Sequence, residues 1–435
     1  MKSLFFGGIH PADGKKLSAG VACSSAVRPA QVTIPMQQHI GAECKPLVQA
    51  GDYVKLGQVV GDGEGLCAPV HASVSGRVIA VEPRSHVSGR DVPSVVIEND
   101  YQDSPDPSIQ PREDYAALDA EEILGVIRRA GIVGMGGATF PASVKAMTSL
   151  GKIDTLIANA CECEPYITSD DMLLRTFPEQ VAGGMKIMGR MLAPERMVIA
   201  VEDNKGEAAK AIEPFIEKEG SMELLVLPAR YPQGAEKQLV QAVTGREVPS
   251  GQLPASVGCA VFNVATYASI YRAVCLGMPV IERIVTVSGE GVRDPKNFTA
   301  RIGTSFGELI RAAGGLREGA CKVISGGPMM GYAQADLSAP VIKGTNSILC
   351  LPPQKNYSAV NPACIRCGRC VKACPARLQP LYIYRYAGKN SVEMLERYSA
   401  MDCIECGCCA YVCPGKLPLV EVIRGAKRSI KEAKK

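Results

Sequence analysis

Eight cysteines near the carboxyl end of the chain fall into two copies of one spacing. The first is Cys364-x2-Cys367-x2-Cys370-x3-Cys374-Pro375, and the second is Cys403-x2-Cys406-x2-Cys409-x3-Cys413-Pro414. Three thiolates close together on a tight loop can hold three corners of an iron–sulfur cube. A fourth, on the helix that follows, is directed away and reaches a second cube. Gly368 and Gly407 permit the tight turn beside the iron, and Pro375 and Pro414 redirect the chain after the last ligand. The spacing therefore predicts two [4Fe–4S] clusters. One takes Cys364, Cys367, Cys370 and Cys413; the other takes Cys403, Cys406, Cys409 and Cys374. Cys408 is out of phase and is read as a non-ligand. Zinc sites use pairs of cysteines rather than a repeated triplet followed by proline. Disulfides do not suit a chain read as cytosolic.

Each cluster exchanges one electron, so two clusters alone make a wire that needs a two-electron end. Upstream lies Gly131-Ile-Val-Gly134-Met-Gly136-Gly137-Ala138-Thr139-Phe140-Pro141-Ala-Ser143-Val-Lys145. Glycines let backbone N–H groups approach a phosphate or flavin at a helix start, and Lys145 adds a fixed cation. Next comes the strand pattern Thr155 to Ala158, then Asn159, Cys161, Glu162, Cys163, Glu164, Pro165 and Tyr166. Polar residues at a strand's carboxyl end stand where open α/β sheets bind ligands. Carboxylates there can accept hydrogen bonds from ribose hydroxyls or a nicotinamide amide. By residue type alone, the glycines also fit plain turns and the acidic pair also fits a solvated loop.

The elements that must carry these groups exceed one core. At 435 residues the chain should hold three or four domains, and 46% hydrophobic with 21% charged residues marks it as globular. Trp is absent and aromatics are 5%, which argues against a stacking surface for sugars or single strands. The net charge of +4 gives no basic field for nucleic acid. Arg424 to Lys435 is strongly basic and reads as a frayed, solvated end, with contact to an anionic membrane or acidic partner as the alternative. The start, Met1 to Gly8, does not read as a signal peptide, because its apolar run is short and Pro11 and Asp13 follow. The best candidate span, Cys259 to Ile281, is interrupted by Asn263, Thr266, Tyr267 and Arg272.

The expected organisation is multidomain α/β plus β. An N-terminal segment and a β barrel-sandwich (lipoyl-like) domain cover 1–100, and a linker covers 101–115. A Rossmann-like domain covers 116–280, a β-grasp domain 281–335, a connector 336–358, and an α-helical 2[4Fe–4S] ferredoxin domain with the basic tail 359–435. Val32 to Asn99 shows short apolar runs broken by Gly-Asp and Gly-Arg turns. It looks like a biotinyl- or lipoyl-carrier barrel without an acceptor lysine, hence a docking barrel. Asp119 to Arg129 and Ser305 to Ala313 read as helices, and Ala376 to Asp402 as a helical insert covering the clusters. The four histidines (His10, His39, His71 and His86) lack ligand spacing and read as turn or core residues. Cys23, Cys44, Cys67, Cys161, Cys163, Cys259, Cys275, Cys321 and Cys350 read mostly as small core residues.

The glycine run and the Asn159 to Tyr166 run together resemble the FMN/NADH-binding subunit of respiratory complex I. Phe262-Asn263-Val264-Ala265-Thr266 resembles a third element of its flavin site, and Tyr231-Pro-Gln-Gly234-Ala-Glu236 a fourth. The resemblance implies FMN and NAD(H) on Gly134, Gly136, Gly137, Ala138, Phe140, Lys145, Asn159, Glu162, Glu164, Tyr166, Gly234, Glu236, Asn263 and Thr266. Four positions depart from that family: Cys161 stands for Asp, Tyr166 for Gly, Phe262 for Asn and Ala235 for Glu. Over essentially the whole chain, the ordered set Phe6 to Pro11, His39 to Ala42, Ala68 to Ala72, Ser325 to Gly331 and the two cysteine runs resembles the RnfC family, a component of the Rnf ion-translocating ferredoxin:NAD+ oxidoreductase. This implies an NAD-dependent electron-transfer oxidoreductase subunit and a peripheral position on the cytoplasmic side of the inner membrane. Its partners would be other Rnf membrane and iron–sulfur subunits, with ferredoxin reached indirectly. A soluble cobalamin or corrinoid reductase, or a non-enzymatic electron-transfer scaffold, are the alternatives.

Overall fold

The computed structural model describes residues 5–25, 27–112, 114–319, 322–352 and 363–434. Cys321 lies outside the described residues, as do Glu113 within the expected linker and Lys435 at the end of the basic tail. The first domain carries β1 (Gln31–Pro35), β2 (Lys45–Pro46), β3 (Tyr53–Val54), β4 (Val59–Asp62), β5 (Val70–His71), β6 (Gly76–Ser85) and β7 (Asp91–Asn99). They form two small sheets, β1-β7-β6-β3 and β2-β4-β5. Every second residue of a strand faces the same side, so Val32 and Ile34 of β1 meet Val95 and Ile97 of β7 inside.

The second domain begins with α1 (Ala120–Arg129), started by a capping box in which Asp119 and Glu122 satisfy each other's backbone N–H. It continues with α2 (Ala142–Ser149), β8 (Thr155–Ala160), α3 (Ser169–Thr176), α4 (Pro178–Leu192), β9 (Arg196–Glu202), α5 (Gly206–Glu219), β10 (Met222–Leu227), α6 (Glu236–Thr244), β11 (Cys259–Asn263) and α7 (Val264–Leu276). All four strands are parallel, in the order β10-β9-β8-β11. The chain steps outward from β8 to β10 and then returns to the other side of β8. The topological switch point therefore lies between β8 and β11.

The third domain comprises β12 (Glu282–Ser288), β13 (Lys296–Arg301), α8 (Phe306–Ala312), β14 (Lys322–Ser325), β15 (Tyr332–Gln334) and β16 (Ser347–Leu351). Its sheet order is β13-β12-β16-β14-β15. The middle strand β16 lies in the segment expected as connector. Ile348, Leu349 and Cys350 are all buried, so both faces are covered and the run lacks the alternation that marks a half-buried strand. The barrel packs on this sheet: Val32, Ile34 and Ile97 share one core with Val285, Phe298 and Ile348.

The last domain holds α9 (Arg369–Ala373), α10 (Pro380–Ala387), α11 (Val392–Arg397), α12 (Cys408–Tyr411) and α13 (Leu419–Ala433). The insert is helical as expected, with Ile383 and Leu395 packed beside Cys374. The basic tail differs from expectation. It is an ordered helix, because Leu419, Ile423, Ala426 and Ile430 recur at helical spacing and are all buried. Three of its cations are also paired: Arg424 and Lys427 with Glu405 at 2.9 and 2.5 Å, and Lys434 with Glu396 at 2.7 Å.

Candidate functional site

Ligands of open α/β sheets bind outside the carboxyl ends of the strands, at the switch point. Asn159 is the next-to-last residue of β8, Asn263 ends β11, and the two are register partners there. The glycine run closes over this point. Gly134 N–H donates to Phe140 O (2.8 Å) and Thr139 N–H to Gly134 O (3.1 Å), making a tight loop before α2. A side chain at Gly136 would press on Asn263 Cβ at 3.2 Å, whereas Gly137, at φ +114°, opens onto free space. Ala138 is exposed and Phe140 half-buried at the same crest. Thr266 is fully buried and works from behind. Its hydroxyl accepts Met135 N–H at 3.0 Å and donates to Val133 O at 3.3 Å, fixing the base of the loop.

Lys145, one turn into α2, pairs with Glu236 at the start of α6 and lies 5.2 Å from the Phe262 ring. Phe262, where the complex I family has Asn, thus supports the lysine from below. Asn159 Nδ2 donates to Gly234 O at 2.8 Å. Gly234 has no room for a side chain: a Cβ would sit 2.1 Å from Cys161 O. Asn263 caps α7 through Ala265 N–H (2.9 Å) and donates Nδ2 to Asp170 at 2.6 Å. Burial, then the Glu162 charge, pushes the Asp170 carboxyl up to about 7. The four motifs read from sequence therefore converge.

The two acidic residues already hold partners in the surrounding loops. Glu162 accepts Ser169 Oγ (3.1 Å), Asp170 N–H (2.8 Å) and Lys205 Nζ (3.2 Å). Burial alone would raise its carboxyl, but the Lys205 and Lys15 ammonium groups outweigh that and hold it low. Glu164 accepts Met329 and Met330 N–H at 2.7 and 3.1 Å, tying the loop to the β-grasp domain, and burial raises its carboxyl. Lys15 Nζ donates to the carbonyls of Glu162, Glu164 and Ile167 at 2.7, 2.8 and 2.6 Å. Tyr166 holds a left-handed φ of +68°, at the position where the complex I family has Gly, and its hydroxyl donates to Glu290 at 2.9 Å. Nothing in local spacing marks Lys15 and Lys205, so the sequence alone does not reveal them.

The two cysteine runs repeat one backbone form. Arg366 and Glu405 are left-handed, as are Gly368 and Gly407, and Arg377 and Lys416. Arg366 and Glu405 each donate their N–H to the sulfur two residues before, at 3.4 Å. Cys374, Cys403, Cys406 and Cys409 line one cavity, with Cys408 also on its wall. Cys370 and Cys413 pack together around Cys409 and Leu417. Cys364 and Cys367 are exposed. On the inner side, Tyr231 Oη donates to Cys406 O at 2.6 Å. Residues Gly8 and Ile9 bridge the same seam: Gly8 N–H donates to Ala373 O (2.9 Å) and Ile9 exchanges two backbone hydrogen bonds with Tyr231 (2.8 and 3.0 Å).

Residues 127–272 match the family model of the Nuo51 FMN-binding domain and residues 357–414 that of a 4Fe-4S dicluster domain. Residues 3–102 match the RnfC barrel sandwich hybrid domain and residues 284–333 the SLBB domain. The corresponding subunit of the Na(+)-translocating ferredoxin:NAD(+) oxidoreductase complex of Acetobacterium woodii is 48% identical over 98% of this chain and 97% of its own. The chain belongs to the RnfC family. Its counterpart in the proton-translocating ferredoxin:NAD(+) oxidoreductase complex of Clostridium ljungdahlii is 42% identical over 92% of this chain and 88% of its own. In fold, this RnfC family member is similar to a chain of an NAD+-reducing [NiFe]-hydrogenase, with TM-score 0.51 and 19% identity over 74% of this chain and 64% of that one.

The residues present fit the groups those domain names carry. For FMN, the crevice offers a glycine crest with open space above Gly137 and a cation on Lys145. Within the Tyr231 to Glu236 motif, Gln233 is fully buried, and neither of its amide atoms has a partner among the described residues. For an iron–sulfur cluster, one cavity is lined by Cys374, Cys403, Cys406 and Cys409, the residue type such clusters use.

Proposed function

We propose that this RnfC family member passes electrons between NAD(H) at the switch-point crevice and its cysteine-ligated end, within an ion-translocating ferredoxin:NAD+ oxidoreductase complex. FMN bound there would supply the exchange between a two-electron hydride and single electrons. The rest is positioning. Gly134 closes the loop through its N–H to Phe140 O, Gly136, Gly137 and Ala138 present backbone N–H groups, and Lys145 offers charge for a phosphate. Asn159, Asn263 and Gly234 shape the floor. Glu162, Glu164, Tyr166 and Glu236 hold the surrounding loops through Lys205, Met329, Glu290 and Lys145. Phe140 and Thr266 brace the glycine loop.

The observation that carries this reading is the hydrogen bond from Tyr231 to Cys406 O. It joins the flavin-domain wall to the Cys374, Cys403, Cys406 and Cys409 set, which would hold the inner cluster. The set on Cys364, Cys367, Cys370 and Cys413 is the outer one, and its exposed Cys364 and Cys367 face the surface where a partner would dock. Among the described residues no helix is long and apolar enough to cross a membrane. Ion movement is assigned to membrane partners, with this chain peripheral on the cytoplasmic face of the inner membrane.

The test is an anaerobic NADH titration of the FMN-supplied chain followed in the visible spectrum. Bleaching of the flavin band, followed by loss of the broad iron–sulfur absorbance, is expected. If NADH changes nothing while dithionite bleaches the clusters, the nucleotide site is refuted.

A further inference from the structure

Away from both sites, three soft ligands meet inside the barrel. Cys44 Sγ and Cys67 Sγ are 3.4 Å apart, and His39 Nε2 is 3.8 Å from the first and 3.6 Å from the second. All three side chains are buried, with exposures of 5%, 2% and 1% for His39, Cys44 and Cys67. By sequence they read as turn or core residues, because no local spacing joins them. The fold does so. His39 lies in the turn after β1, Cys44 precedes β2, and Cys67 precedes β5. The two loops are in contact: Ala42 N–H donates to Leu66 O at 2.9 Å, and a Cβ at Gly41 would sit 2.0 Å from that same oxygen.

The separations come within about 0.4 Å of those around a tetrahedral ion. Zinc bonds sulfur at about 2.3 Å and imidazole nitrogen at about 2.0–2.1 Å, so tetrahedral angles place S···S near roughly 3.8 Å and S···N near roughly 3.6 Å. A disulfide would need the sulfurs at about 2.05 Å instead. The imidazole is set for ligation. Its Nδ1 faces Ile40 O at 3.4 Å, which suits the N–H on that nitrogen, and its Nε2 is an acceptor beside both sulfurs. A metal-bound histidine typically has its other nitrogen fixed by such a carbonyl. Nε2 now accepts Ala68 N–H at 3.1 Å, a donor that an ion would displace. Charge also favours a divalent ion: two thiolates and one Zn²⁺ sum to zero, the state that burial tolerates best. Among the described residues no fourth His, Cys, Asp or Glu joins the group, leaving the fourth position to water or a main-chain oxygen.

We propose that His39, Cys44 and Cys67 bind one zinc ion that locks the loops at 37–44 and 63–68 together. The first loop also touches the glycine run, through Ile40 N–H to Thr139 O at 3.2 Å. The ion therefore braces the barrel against the nucleotide-binding domain.

The test uses the full chain, purified without chelators from zinc-supplemented cells, with its clusters intact. Elemental analysis is expected to give one zinc per chain. Absorption at the zinc edge, which iron does not obscure, is expected to show two sulfurs at about 2.3 Å and nitrogen or oxygen at about 2.0 Å. The double variant Cys44→Ser/Cys67→Ser, and separately His39→Gln, are expected to lose at least nine-tenths of the zinc with iron content unchanged. Absence of zinc from the wild-type chain overturns the proposal. So does zinc in an all-sulfur shell, which would place it on the ferredoxin cysteines, or zinc retained by the double variant. Should the variants fail to fold, the wild-type shell decides alone.

Discussion

Asn159 and Asn263 stand side by side as register partners at the carboxyl ends of neighbouring parallel strands. One comes from the motif that closes β8 and the other from the motif that opens α7. Their pairing places the switch point of the sheet between them and under Gly136, whose missing side chain leaves room for Asn263. This crevice and the seam that joins it to the cysteine domain are both open to measurement.

Gly137→Ala adds a methyl group where the loop crest is open and φ is +114°. A left-handed strain of about 1–2 kcal/mol, with the methyl in the path of an approaching phosphate, weakens FMN binding about tenfold. Gly151→Ala is the control, with φ +66° and no neighbour within 4 Å. It carries similar strain and is expected to leave FMN affinity unchanged. Flavin fluorescence titration of the two variants measures the contrast.

Tyr231→Phe removes the donor to Cys406 O. Leaving that buried carbonyl unpaired costs about 1–3 kcal/mol, read as a lower melting temperature of the cluster-loaded protein. In stopped-flow absorbance, NADH should still bleach the flavin band at the wild-type rate while the iron–sulfur signal follows more slowly.

Asp170 is raised to about 7 by burial and the nearby Glu162. The sign follows directly. Between the ordinary carboxylate range and pH 7 the folded chain keeps a proton that the unfolded chain has lost, so this group makes stability fall as pH rises. Asp170→Asn removes that dependence. Its melting temperature is expected to exceed the wild type's by a gap that widens from pH 5 to 7, at up to about 1.4 kcal/mol per pH unit. Above pH 8 the gap should stay constant. A gap that is flat throughout would show that Asp170 is ionised in the fold.

Ile430→Ala empties a fully buried position on α13. Loss of the side chain and the cavity left behind cost about 2–5 kcal/mol. Because the helix packs on the domain that holds Cys374 and Cys403, the variant should also lose iron–sulfur absorbance faster in air. A frayed, solvated tail would show neither effect.

Much of this was legible in the chain itself, for a physical reason. Cluster ligation needs thiolates at short fixed separations, so Cys364 to Cys374 and Cys403 to Cys413 declare their chemistry through local spacing. The glycine loop, the strand into Asn159 and the capped helix at Asp119 are likewise local. Tertiary structure decided what depends on distant neighbours. Glu162 and Glu164 have the right type for nucleotide contacts, and only the fold brings their carboxylates further partners, Lys205 and the Met329 and Met330 backbone. The tail looked solvated because its charges dominate its composition, but Glu405 and an apolar stripe anchor it. Ser347–Leu351 looked like a connector because a strand buried on both faces loses its alternation. His39, Cys44 and Cys67 carry no motif, and they become a ligand set only when two loops of the barrel are brought into contact.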